Sequence, residues 1–130
     1  MNKKKFATNL DKMHNFKNLI IWKKSIQLGV KIYNFSNTLS LKDQYIFSSQ
    51  LSHCVFSIPS NIAEGSGKDS IKDFCRYLNI SAGSSFELET QLIILKEIQE
   101  NKKIEIDLLI KEVVEIQKMI YGFKKQLLEK

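Results

Sequence analysis

A chain of 130 residues that is 43% apolar, 26% charged and 10% aromatic has the size of one globular domain, and its single proline and five glycines are too few turn-formers for a many-stranded sandwich or barrel. No apolar run approaches the ~18 residues that cross a bilayer, and the basic opening MNKKKFATNLDKMHNF lacks the apolar stretch of a secretory signal, so an all-helical cytoplasmic protein is expected. The net charge of +6 is concentrated: residues 1–31 hold eight lysines against Asp11, while the rest of the chain holds 12 basic and 13 acidic groups.

Leu19, Trp22, Ile26, Val30 and Tyr33 recur at spacings of three and four and predict a first helix from about Phe16 to Asn37. Ser36, Asn37, Thr38 and Ser40 supply the break. A second helix is predicted from Leu41 or Lys42 to Glu64, with Phe47, Leu51, Cys54, Val55, Ile58 and Ile62 on one face and Phe56 behind it. Pro59 removes one backbone donor there and predicts a kink near Val55 to Ser57 unless the helix restarts. Gly65-Ser66-Gly67 is expected to end the helix with a left-handed glycine cap. A third helix, capped by Asp69 or Ser70, carries Ile71, Phe74, Cys75, Leu78, Ala82, Phe86 and Ile93 and ends near Gln99. After the turn Asn101-Lys102-Lys103, a fourth helix from about Glu105 to Leu128 repeats Leu109, Val113, Ile116, Ile120, Phe123 and Leu127 in a 4-3-4-3-4 seam. Short connections favour antiparallel neighbours, hence an all-α, up-down-up-down four-helix bundle over residues 16–130 behind a basic N-terminal arm, residues 1–15.

Helix 1 has a second apolar stripe opposite the first: Ile21, Leu28, Ile32, Phe35 and Leu39. A four-helix monomer buries one stripe, and five large side chains at ~1.5 to 3 kcal/mol each leave a strong drive to associate. These five are the expected interface of a homo-oligomer. The competing possibility is that residues 1–15 fold back over them, although Phe6, Leu10 and Met13 are the only sizeable apolar groups available. Between the stripes, Lys23, Lys24, Gln27 and Lys31 form one edge, while Ser25, Gly29 and Ser36 form a small edge suited to close backbone approach. Repeated in an oligomer, Lys3, Lys4, Lys5, Lys23, Lys24 and Lys31 would offer a multivalent surface to a polyanion.

Signals for catalysis are weak. Cys54 and Cys75 are far apart, belong to no C-x-x-C pair and lie on apolar stripes, so no metal or other cofactor is implied. His53 and Ser57 stand four apart on the polar flank of helix 2, yet no nucleophile elbow accompanies them. Glu89 falls on the apolar side of helix 3, where a carboxylate needs a partner, with His53 as one candidate. Gly65-Ser66-Gly67-Lys68 lacks the full glycine spacing of a P-loop.

The stretches Ser57-Ile58-Pro59-Ser60-Asn61-Ile62-Ala63-Glu64-Gly65, Phe74-Cys75-Arg76-Tyr77-Leu78 and Gly83-Ser84-Ser85-Phe86-Glu87-Leu88-Glu89-Thr90-Gln91 resemble the bacterial four-helix-bundle (S23-like) proteins associated with 23S rRNA intervening sequences. Phe16-Lys17-Asn18-Leu19-Ile20-Ile21-Trp22-Lys23 resembles that family's opening helix, and the likeness spans about Phe16 to Leu127. It implies a homopentamer with no established enzymatic activity, and it makes RNA or a nucleic-acid-processing protein a plausible partner. This chain departs from the family in having Ser52 and His53 where arginines often follow the glutamine at Gln50. The expectation is therefore a non-enzymatic oligomer with no membrane partner that binds RNA or a nucleoprotein. The alternatives are a protein-interaction scaffold, or a hydrolase using His53, Ser57 or Glu89.

Overall fold

The computed structural model describes residues 15–129. Four helices run α1 Ile20–Ser36, α2 Leu41–Ser66, α3 Ile71–Ile98 and α4 Lys103–Leu128, with 3-10 turns at Phe16–Asn18 and Glu100–Lys102. No strand occurs among the described residues. The arm expected over residues 1–15, with Lys3, Lys4, Lys5, Phe6, Leu10 and Met13, lies outside them apart from Asn15.

Local chemistry sets the boundaries. Ser40 and Ser70 accept the backbone N–H of Asp43 (3.2 Å) and Asp73 (3.1 Å), and each aspartate places negative charge in a first helical turn, where the helix dipole favours it. Helix α1 begins four residues later than periodicity suggested, because extended Leu19 separates it from the preceding turn, where Phe16 packs edge-on against Trp22 with ring centroids 5.3 Å apart. Pro59 is buried inside an unbroken α2. Neighbouring carbonyls accept side-chain donors: Phe56 from Ser60 (2.8 Å), Ser57 from Asn61 (2.8 Å), and Ile58 from Ser81 of α3 (2.9 Å).

No glycine among the described residues has positive φ, and the cap of α2 at Gly67 has φ −87°. The left-handed cap is thus corrected to a right-handed ending. Gly65 serves packing instead: a Cβ there would come within 2.7 Å of Tyr77 Cβ and 2.9 Å of the Phe74 ring, so its lack of a side chain lets α3 close onto α2.

Each helix packs on its chain neighbours, and α1 also packs on α4. Paired contacts run in opposite senses: Ser81 with Ile58 and Gln91 with Cys54 across α2–α3, Lys124 with Asn79 and Lys96 with Asp107 across α3–α4, and Lys24 with Glu115 and Lys31 with Glu112 across α1–α4. The start of α1, the α2–α3 turn and the end of α4 therefore occupy one end of the bundle, and the other two connections occupy the opposite end.

The core is assembled from four seams. Those of α2 and α4 fall where the spacing placed them, with Leu51, Cys54, Val55, Ile58 and Ile62 facing Leu109, Val113, Ile116 and Ile120 across the interior. The α3 seam differs from the expectation. It follows Phe74, Leu78, Ser81, Ser85, Leu88, Leu92 and Leu95, whereas Phe86 and Ile93 point outward. Two serines in mid-seam conceal the repeat, because they occupy apolar positions and satisfy their hydroxyls on carbonyls, Ser81 on Ile58 and Ser85 on Ala82 (2.6 Å).

Candidate binding surfaces

The two stripes of α1 are the reverse of the expectation in burial: the one expected at an interface lies inside the bundle, and the one expected inside faces outward. Ile21, Leu28, Ile32, Phe35 and Leu39, expected at an oligomer interface, are at most 4% exposed and belong to the core of their own chain. Buried against α2 and α4, they cannot meet another copy without unfolding. Ser25 completes their seam, donating to the Ile21 carbonyl at 2.6 Å.

The other stripe faces out: Ile26, Val30 and Tyr33 are 40%, 56% and 54% exposed. Phe56 of α2 extends this surface and is 47% exposed. A Cβ on Gly29 would sit 3.5 Å from the Phe56 ring, so the ring lies directly against the α1 backbone. Together with Ser25 and Pro59, these residues line an almost wholly apolar groove of about 260 Å³.

The lysine edge of α1 is partly neutralised. Lys24 pairs with Glu115 at 2.6 Å and Lys31 with Glu112 at 2.7 Å, both on α4 and both solvent-facing. The Lys24 ammonium, through its hydrogen bond and then its charge, holds the Glu115 carboxyl below its ordinary value. Lys23 is exposed and makes no ion pair among the described residues. Lys3, Lys4 and Lys5 lie outside the described residues.

His53, Ser57 and Glu89 are dispersed. Ser57 shares a 2.8 Å hydrogen bond with Ser84 and accepts another from Asn61 at 2.9 Å, which ties α2 to α3. Glu89 accepts from Gln117 of α4 at 2.8 Å, so its partner is an amide rather than His53. His53 is exposed beside a polar hollow shared with Ser49, Gln50, Cys54, Glu87 and Gln91, which includes neither Ser57 nor Glu89. No group of three or more metal-ligating side chains occurs among the described residues.

That hollow contains a cluster the sequence reading missed. The Cys54 thiol donates to Glu87 at 3.6 Å and accepts from Gln91 at 3.3 Å, while Gln91 Oε1 is buried without a partner. Burial, then the Glu87 hydrogen bond and charge, push the Cys54 thiol up from its ordinary value. A thiol held protonated in this way is a poor nucleophile. Only the 33-residue interval between Cys54 and Glu87, bridged by the antiparallel α2–α3 pairing, joins these groups, and no local motif marks it.

The 23S rRNA-intervening sequence protein family matches residues 17–122, which takes in α1, α2, α3 and most of α4. The chain belongs to the 23S rRNA-intervening sequence protein family. A solved structure similar to it is that of a protein of unknown function from the S23 ribosomal protein family of Bacteroides thetaiotaomicron VPI-5482: 26% identity, TM-score 0.74, covering 82% of this chain and 99% of the other. No curated protein matches the chain. The contact that Gly65 permits joins two of the stretches that resemble the family, residues 57–65 and 74–78.

Proposed function

We propose that this intervening-sequence protein is a non-enzymatic, cytoplasmic binding protein that assembles with copies of itself and holds RNA or an RNA-containing particle. The observation that carries the reading is the outward face of α1, where Ile26, Val30 and Tyr33 join Phe56 around a groove although the core is complete without them. An apolar face of this kind favours a partner of matching shape. A second copy is the partner we propose, with five copies as the resemblance implies. RNA as ligand is supported by the family's association with a ribosomal RNA insertion and by the lysine excess of residues 1–31. No helix among the described residues is long and apolar enough to cross a membrane.

Native mass measurement of the purified chain, alone and with single-stranded RNA over a salt series, tests both parts. The expected result is an oligomer that binds RNA at low salt and releases it as salt rises. A monomer at micromolar concentration rejects the assembly, and an oligomer that binds no RNA at low salt rejects the ligand.

The ion pairs of Lys24 and Lys31 with α4 favour a second reading, a scaffold whose partner is another polypeptide. Capture of one protein in nuclease-treated extract, by an oligomer that binds no RNA, would select that alternative.

A further inference from the structure

We propose that RNA is held by the end of the bundle formed by the start of α1, the α2–α3 turn and the last turns of α4, rather than by the lysine edge of α1. This inference rests on the RNA-binding reading above. Dividing every helix at its middle gives two unlike halves. Residues 15–28, 54–84 and 116–129 carry nine basic and four acidic side chains, whereas residues 29–53 and 85–115 carry six basic and nine acidic ones. Helices of 26 to 28 residues are about 40 Å long, several times the Debye length of about 8 Å at physiological salt. The two ends are therefore separate electrostatic surfaces, one attracting phosphate and the other repelling it.

The basic end also places aromatic rings beside its cations. Lys68 and Arg76 approach the Tyr77 ring at 5.2 Å and 5.0 Å, and the Lys17 ammonium stands 6.0 Å from the Phe16 ring, itself packed on Trp22. Cations beside aromatic rings suit a single strand, whose phosphates meet the charges and whose bases stack. Lys72, Arg76 and Lys125 are exposed, and Arg76 has only a long 3.9 Å contact with Asp73. Assembly through the side of α1 leaves the ends uncovered, and a ring with cyclic symmetry would point every basic end the same way.

The test uses the full chain, a labelled oligouridine of about twenty nucleotides, and titrations between about 50 and 200 mM salt. One variant combines Lys72→Gln, Arg76→Gln and Lys125→Gln; a charge-matched control combines Lys42→Gln, Lys103→Gln and Lys111→Gln in the acidic half. All six side chains are exposed, so both variants keep the fold, which circular dichroism checks. The expected result is about tenfold or greater loss of binding for the first variant at low salt, with a salt slope shallower by about 2, and a change within about twofold for the control. Equal weakening of both variants overturns the location and leaves RNA binding intact. Absence of binding by the unaltered chain at low salt overturns both readings. Salt-sensitive self-association that is lost in the first variant, without RNA binding, would instead assign this end to the acidic end of another copy.

Discussion

Cys54 illustrates how one side chain makes the bundle sensitive to pH. Its thiol is buried between α2 and α3, with the Glu87 carboxylate as acceptor, and both influences favour the protonated form. In the unfolded chain the thiol ionises near pH 8.5, while in the folded chain it resists until higher pH. The resulting stabilisation is complete below about pH 8.5 and declines as pH rises toward the folded value. Urea midpoints measured from pH 7 to 10 should therefore fall more steeply for the natural chain than for Cys54→Ala. Equal slopes would mean that neither burial nor Glu87 holds the thiol protonated in the folded chain.

At the level of the element, α1 has two apolar stripes of equal period and only one interior to fill. Ile32 is fully buried and Val30 is more than half exposed, though only two positions separate them. Ile32→Ala should cost about 2 to 5 kcal/mol in chemical denaturation of the dilute chain, because its cavity cannot refill. Val30→Ala should stay within about 0.5 kcal/mol under the same conditions. A reversal of that order would place the outer stripe in the core. Spacing made the number of helices, their approximate limits and the seams of α2 and α4 legible. It did not reveal which stripe of α1 faces inward, because both are spaced by three and four. Trp22 and Tyr33, whose polar tips suit a partly wet position, were the discriminating signs. In α3, Ser81 and Ser85 interrupt the apolar pattern, so spacing alone points to Ala82 and Phe86 instead. Of the candidate surfaces, the existence of a surplus apolar face was legible. The Cys54–Glu87–Gln91 cluster was not, because it arises only from helix pairing.

Across the whole molecule the packing is uneven. Helices α2 and α3 make the most extensive contact, whereas α1 and α4 touch least and are tied at their surface by Lys24–Glu115 and Lys31–Glu112. Exposed ion pairs of this kind add little stability and weaken further in salt. Native-state hydrogen exchange should accordingly be slowest along α2 and α3 and faster in α1. In an assembly through the outer stripe, α1 protection should increase with protein concentration while that of α3 changes little. Concentration-independent protection of α1 would argue against self-association through that stripe.

The position of Asn15 and Glu129 at one end of the bundle also governs how the protein is handled in the laboratory. An affinity tag or fluorescent protein fused directly before Asn15 or after Glu129 would crowd the same cationic surface and compete with whatever approaches it. Reporters are better inserted at the far end, near exposed Asn101 between α3 and α4, where a short insertion interrupts no long helix.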